Sequence, residues 1–479
     1  MLRGAEARLL GEAWSWLGDV TRWALPWGVV AFELLALCTV PSVLLRRRGR
    51  PTAALAWIFA LFALPALGGL AWWAFGRTNL ERKKRRRAKK KRDFTEKRGA
   101  PAVAKDTIFA RQMPERAHGD CVFASHGNQV ELLLDGPNAF PVLEAAIASA
   151  TRSIHVEYYI WENDDVGRRL RDHLVERAHA GVAVRVLVDG FGTRNARWLT
   201  EPLRQAGAKV GIFLPSHFTP FRAPRFNFVN HRKVVVVDGA VAFTGGMNIG
   251  NAYATDWRDT MVRIEGPAVR ALDHVFLDDW YFATDELIDD ERSGPPSANG
   301  IEVAVVASGP DSEAWIHDAY FIALTQAKRR IWIATPYFIP GPAILAALRT
   351  AAGRGVDVRI LVPSTSDVTI VKWASRSYYR GLTEAGVHIF EYQGMVHAKA
   401  LLTDDDIACI GTANIDSRSF RLSFEVGCFL ASAELNEKLA SWHASLVQDS
   451  VAVTTRSLER KPLVQKLGES AAHLFSPLL

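Results

Sequence analysis

The chain is poor in cysteine: four among 479 residues, Cys38, Cys121, Cys409 and Cys428, none at a spacing that suits a disulfide framework or a zinc site. That excludes a cystine-stapled secreted scaffold and fits a reducing compartment. Metal-ligand clusters of other residue types are missing as well, so neither a metal nor another cofactor is expected. No small-residue cleavage site precedes a globular start, and the apolar content near the N-terminus comes twice, so a removable signal peptide does not fit. A net excess of basic charge is missing except in one place. The net charge is +7, yet residues 77–92 hold eleven Lys or Arg and one Glu, which leaves −3 for everything else. The pI near 9.2 therefore reports a local run, not a basic body.

Hydrophobic residues make up 49% of the chain, with 15 Trp, enough for a substantial core and two or three domains. In residues 1–26, Leu9, Leu10, Trp14, Leu17, Val20 and Trp23 recur at three- and four-residue steps, the pattern of an amphipathic helix, interfacial or packed. Residues 27–45 are apolar apart from Glu33 and Pro41, and residues 53–75 carry no charge at all. Together, residues 27–75 are expected to form a two-helix membrane hairpin. A carboxylate such as Glu33 at that depth is costly unless paired or protonated. Residues 76–100 read as a basic juxtamembrane linker attracted to anionic lipids. Eleven positive charges after the second span against four in the loop before it place the downstream part in the cytoplasm.

From residue 101 the composition is globular and the segments repeat. Residues 153–161 resemble 330–338, residues 181–188 resemble 355–362, and a helical stretch separates the members of each pair. Strands alternating with helices predict a largely parallel α/β sheet in each half. Two pseudo-twofold-related lobes are expected, at 101–295 and 296–479, with an acidic, Pro-rich boundary between them. The second ends in an amphipathic helix, from Leu463 to Leu478, for which membrane docking and ordinary packing both stand open.

The repeats lead to His231-Arg-Lys233-Val-Val-Val-Val-Asp238 and His397-Ala-Lys399-Ala-Leu-Leu-Thr-Asp404, which share one His-x-Lys-x4-Asp spacing. In both copies a glycine follows after six residues and opens a loop ending in Asn248 or Asn414, and an acid, Asp259 or Glu425, lies eleven residues further on. Alternation along a strand puts His and Lys on one face. An imidazole can serve as nucleophile or proton donor near neutral pH, and an ammonium and a carboxamide are donors for oxyanions. A lone copy would read as a half-buried strand with a snorkelling lysine; two in register read as the halves of a two-histidine site. Glu157, Tyr158, Tyr159 and Tyr337 fall toward the carboxyl ends of strands, where open α/β sheets bind ligands. Arg222 and Arg225, among aromatics, suit a phosphate headgroup.

The doubled pattern resembles the phospholipase D superfamily, and the surrounding residues resemble its bacterial cardiolipin synthases. The resemblance implies two phospholipase D-like lobes behind an inner-membrane, multi-pass anchor, and the charge count above puts the working part on the cytoplasmic side. It implies that His231, Lys233, Asp238, His397, Lys399 and Asp404 are the catalytic set, with His231 forming a phosphohistidine and His397 acting as general acid and then base. Lys233, Lys399, Asn248 and Asn414 would hold phosphoryl oxygens, Asp259 and Glu425 would fix the imidazole tautomers, and Asp238 and Asp404 would brace the lobes. Two phosphatidylglycerol molecules would yield cardiolipin and glycerol, with phosphatidylglycerol and anionic membrane lipids as partners. Self-association is left open. The competing readings are a hydrolytic phospholipase D, in which water replaces the acceptor, and a membrane-anchored nucleic-acid binder using residues 77–92. One departure stands out: Thr412 keeps the hydroxyl usual after the motif glycine, and Gly246 does not.

Overall fold

A run such as Val234–Val237 can bury every side chain only in a sheet covered on both faces, and in the computed structural model all four valines are buried. The structure describes residues 30–31, 33–47, 51–73, 80–193, 195–214, 228–288 and 296–476. The described residues up to 73 fall in one compact unit and those from 84 onward in another.

In the larger unit the first repeat supplies β1 (Val122–Leu134), β2 (Ser153–Tyr158), β3 (Ala183–Asp189), β4 (Lys209–Phe213), β5 (Val234–Val237), β6 (Val241–Gly245) and β7 (Thr260–Glu265). The second supplies β8 (Ile301–Ser308), β9 (Arg330–Ala334), β10 (Asp357–Pro363), β11 (His388–Tyr392), β12 (Ala400–Thr403), β13 (Ile407–Gly411) and β14 (Glu425–Ala431), with β15 (Ser450–Val453) added at one edge. All fifteen form one sheet, in the order β15-β11-β10-β9-β12-β13-β14-β8-β1-β7-β6-β5-β2-β3-β4. Without β15 the order reads alike from both ends to the centre, so a pseudo-twofold relates two lobes that meet where β1 pairs with β8. Helices flank the sheet. Ala268–Thr284, buried along most of its length, and Ala433–Gln448 are the long ones that follow β7 and β14.

The expected largely parallel sheets are mixed instead. Only β2-β3-β4 and β9-β10-β11 run parallel, and the motif strands are antiparallel to their neighbours. The reason is local: Asp238 (φ 54°) and Gly239 (φ 62°) occupy the left-handed region in a tight turn that sends the chain straight back from β5 into β6. Asp404 (φ 49°) begins the equivalent turn between β12 and β13. A turn that short leaves no room for a crossover helix.

The N-terminal calls are only partly covered. Residues 1–26 lie outside the described residues. The run 53–75, expected as one span, is broken: helix Pro51–Ala63 stops, Leu64 leaves helical geometry (φ −139°, ψ 71°), and Pro65–Ala71 begins a second short helix. Pro65 lacks the N–H needed to continue the first helix. The pieces pack so closely that a Cβ on Gly68 would lie 2.3 Å from the Ala60 carbonyl oxygen. Among the described residues no helix is long and apolar enough to cross a membrane.

The expected basic linker is also partly something else. Residues 84–98 of helix Leu80–Arg98 belong to the larger unit, and Arg87 is 1% exposed. Its guanidinium lies 2.6 Å from Asp278 and 2.7 Å from Asp279, and Asp279 also pairs with Arg232, the residue between His231 and Lys233. The C-terminal helix Leu463–His473 packs in part: Ala472 is buried against helix Thr369–Thr383, while Leu463, Val464 and Leu467 face solvent.

Candidate active site

The two histidine motifs are placed by backbone pairing across the lobes. The His231 N–H donates to the Phe424 carbonyl at 2.9 Å, and the Phe424 N–H donates to Val229 at 3.0 Å. In the mirror arrangement the His397 N–H donates to Arg258 at 2.7 Å and the Arg258 N–H to Met395 at 3.0 Å. Each histidine is thus laced to the residue just before the other lobe's acid, and the acids cross over. His231 Nδ1 lies 3.0 Å from Glu425 Oε2 and 3.1 Å from the Thr412 carbonyl oxygen; His397 Nδ1 lies 2.7 Å from Asp259 Oδ2. A ring that donates from Nδ1 keeps its lone pair on Nε2, the atom a nucleophile or base needs.

Both imidazoles line one cavity of about 330 Å³, together with Asn248, Asn414, Tyr159 and Tyr337. Tyr159 packs edge-on against His231 with ring centroids 4.8 Å apart, and Tyr253 and Trp257 flank His397 at 5.2 and 5.3 Å. Asn248 is held by Ile160 N–H, which donates to its Oδ1 at 3.2 Å, and by the Tyr253 hydroxyl, which accepts from Nδ2 at 3.0 Å. Asn414 Oδ1 is buried without a partner among the described residues. Lys233 Nζ donates to the His231 carbonyl at 2.6 Å, and Lys399 Nζ sits 3.0 Å from His397 Nε2. No group of three or more His, Cys, Asp or Glu among the described residues could hold a metal ion.

Burial dominates the electrostatics. It pulls Lys233 down to about 7 and Lys399 to about 8, and pushes Glu425 up to about 7 against the charges of the two lysines. Burial, then the lysine charges, hold His231 well below its ordinary value and His397 at about 4, although Asp259 opposes the shift on His397. Burial is the largest cause of each shift, and a bound phosphodiester anion would oppose those on the lysines and histidines.

Gly246 has a steric explanation. A Cβ there would stand 2.1 Å from Asp259 Oδ1, whereas in the other copy the Thr412 hydroxyl donates to Glu425 at 2.5 Å. The longer acid goes with a hydroxyl and the shorter one with a glycine. Gly246→Thr, which copies the second lobe into the first, is therefore expected to push Asp259 off His397 and lower kcat by about 100-fold or more. Steady-state kinetics beside the unfolding midpoint checks this; full activity in a folded variant would show that Asp259 has room to move.

Some expected site residues lie elsewhere. Asp238 accepts from the backbone N–H groups of Thr151, Arg152 and Ser153 at 2.7–2.9 Å, and Asp404 from those of Lys328, Arg329 and Arg330 at 2.7–3.3 Å. Both sit at hairpin turns at the far end of the motif strands and pin the start of β2 or β9, so they are not in the cavity. Glu157 is buried in the Asn230–Asp279 network beneath the site, and Tyr158 points into the core against Trp161. Strand alternation sends neither of them to the opening; Tyr159, just past β2, gets there. Arg222 and Arg225 lie outside the described residues. The expectations omitted Arg418, which lines the cavity. The two copies diverge there, and extending the comparison past Asn248 and Asn414 would have shown it.

Comparison with known proteins agrees with this geometry. A family model described as "Cardiolipin synthase, PLD-like domain" matches residues 143–280 and 320–447, and one described as "Phospholipase_D-nuclease N-terminal" matches residues 34–77. The chain is 37% identical over 477 residues to a cardiolipin synthase of Geobacillus kaustophilus, covering 94% of each chain. It is 36% identical over 480 residues to the major cardiolipin synthase of Bacillus subtilis, covering 94% of this chain and 98% of the relative. The crystal structure of a phosphatidylserine synthase from Haemophilus influenzae shares the fold at a TM-score of 0.60 and 17% identity, covering 82% of this chain and 100% of that one. With both motif copies, the shared cavity and near-full-length relatives in agreement, the chain belongs to the cardiolipin synthase family of phospholipase D-like enzymes.

Proposed function

We propose that this enzyme moves a phosphatidyl group from one phosphatidylglycerol to a hydroxyl of a second, giving cardiolipin and glycerol. The observation that carries the reading is that two imidazoles from different lobes line one cavity, each held at Nδ1 by the other lobe's acid. His231 Nε2 attacks phosphorus, the bond to the departing glycerol oxygen breaks, and His397, protonated at Nε2 once the bound phosphodiester offsets the lysine charge beside it, gives that oxygen its proton. The acceptor hydroxyl then loses its proton to His397, its oxygen bonds to phosphorus, and the phosphorus–nitrogen bond to His231 breaks. Lys233 and Lys399 balance the phosphoryl charge, which shifts in the transition state.

Exposed apolar side chains in the N-terminal unit support attachment to a membrane: Leu55, Phe59, Leu67 and Leu70 are 64–76% exposed. The excess of positive charge at residues 77–92 supports an inner membrane with the larger unit in the cytoplasm. The test is purified full-length protein in phosphatidylglycerol vesicles. Cardiolipin and free glycerol in equal amounts are expected, and phosphatidic acid without cardiolipin would make it a hydrolase.

The pH profile follows from the same burial. The lysines grip phosphoryl oxygens only when protonated, so kcat/KM is expected to fall as pH rises through about 7 to 8. Glu425 accepts the His231 proton only as a carboxylate, so kcat/KM also falls as pH drops below about 7. A narrow bell near neutrality is the expected result; a profile flat across that range would remove the lysines and Glu425 from the rate.

A further inference from the structure

The reaction brings two anions into one cavity, because donor and acceptor lipids each carry a phosphodiester. The His, Lys and Asn pairs form a near-symmetric set suited to a single phosphorus. That symmetry ends four residues after each asparagine: Asn248 is followed by Ala252 at that position, and Asn414 by Arg418.

Arg418 lines the cavity, is partly buried, and forms no hydrogen bond or ion pair through its side chain among the described residues. Its charge acts on two nearby carboxylates, Asp189 and Asp416, but neither is hydrogen-bonded to it, and both accept from backbone N–H groups instead. Asp416 accepts from the Ser419 N–H at 2.6 Å, and Asp189 accepts from the N–H groups of Phe191, Gly192 and Asn230 at 2.8–2.9 Å. Arg418 stands near enough to His231 for its charge to depress the ring's proton affinity, after burial and the two lysines. A forked cationic donor at a cavity wall, with none of its N–H groups hydrogen-bonded among the described residues, matches a phosphodiester bidentately.

We propose that Arg418 binds the phosphodiester of the acceptor phosphatidylglycerol, so that the acceptor's terminal hydroxyl reaches the phosphorus on His231. This rests on the synthase reading and gives it a source of selectivity. Water carries no anion for Arg418 to hold, whereas the acceptor lipid gains a partner that offsets repulsion between two phosphates in a poorly solvated cavity.

The test uses the full-length protein in phosphatidylglycerol vesicles containing labelled free glycerol. Cardiolipin formation reports transfer to a charged acceptor, and incorporation of label into phosphatidylglycerol reports transfer to a neutral one from the same intermediate. Arg418→Met is expected to lower cardiolipin formation about tenfold or more relative to glycerol exchange, with Arg418→Lys in between. Cardiolipin formation and exchange falling together would assign Arg418 to the shared step or to folding and overturn the proposal, as would no change in either. Wild-type protein that exchanges glycerol but makes no cardiolipin would instead overturn the synthase reading itself.

Discussion

Replacing either His231 or His397 by alanine is expected to lower phosphatidyl transfer by about 10⁴-fold or more, with little change in thermal stability. Both rings touch the same cavity, so neither lobe can do half of the reaction alone. The two variants should nevertheless fail differently. With a phosphatidyl ester whose leaving group needs no proton, His397→Ala should still form the covalent adduct and hold it on His231, because nothing remains to deprotonate the acceptor. His231→Ala should form none. Acid-labile phosphate mapped by mass spectrometry reads this directly, and an adduct on His397 in the His231 variant would reverse the assignment of nucleophile and acid.

The crossed acids give the second large effect. Asp259→Asn and Glu425→Gln are nearly isosteric, yet each offers the imidazole an amide in place of a carboxylate and favours the wrong tautomer. A fall in kcat on the order of 10³ to 10⁴ is expected for each, with KM changed far less. The losses should also be crossed: Glu425→Gln slows formation of the adduct on His231, whereas Asp259→Asn slows the steps that use His397. Rapid-quench measurement of adduct formation separates the two, and equal slowing of that step by both would contradict the pairing. Thr412 should soften the Glu425 substitution somewhat, since its carbonyl also accepts from His231 Nδ1.

The chemistry-bearing residues were legible because a two-histidine reaction forces the same residue types into both repeats at the same spacing. Which acid serves which ring was not legible. Asp259 follows His231 in sequence, and it is the backbone pairing of Arg258 with Met395 and His397 that carries it to the other copy, where its carboxylate meets His397 Nδ1. The parallel-sheet expectation failed at a readable place: the Asp238-Gly239 pair is a hairpin signal, and weighing it would have predicted the antiparallel return from β5 to β6. The Asp of each motif belongs to the same kind of turn: membership of the catalytic set does not bring it to the cleft, and its place at the opposite end of the strand suits the bracing role expected of it. Likewise Pro65 predicts the break in the apolar run, which hydropathy alone passes over. Burial of Arg87 is different in kind. Nothing in a run of eleven basic residues marks one of them as the partner of Asp278 and Asp279, almost two hundred positions away.

That arginine changes what the polybasic stretch is. If it were only an address label for acidic lipid, it could be trimmed or swapped for another cationic tail. Arg87, however, supplies positive charge to a pocket that also holds Asp278, Asp279 and Asp311, one bond away from the arginine inside the first histidine motif. Leaving such carboxylates bare costs about 3–5 kcal/mol, a large part of a typical domain's stability. One residue of the basic run is therefore a keystone of the fold, and the working part of the enzyme begins well before the first repeat does.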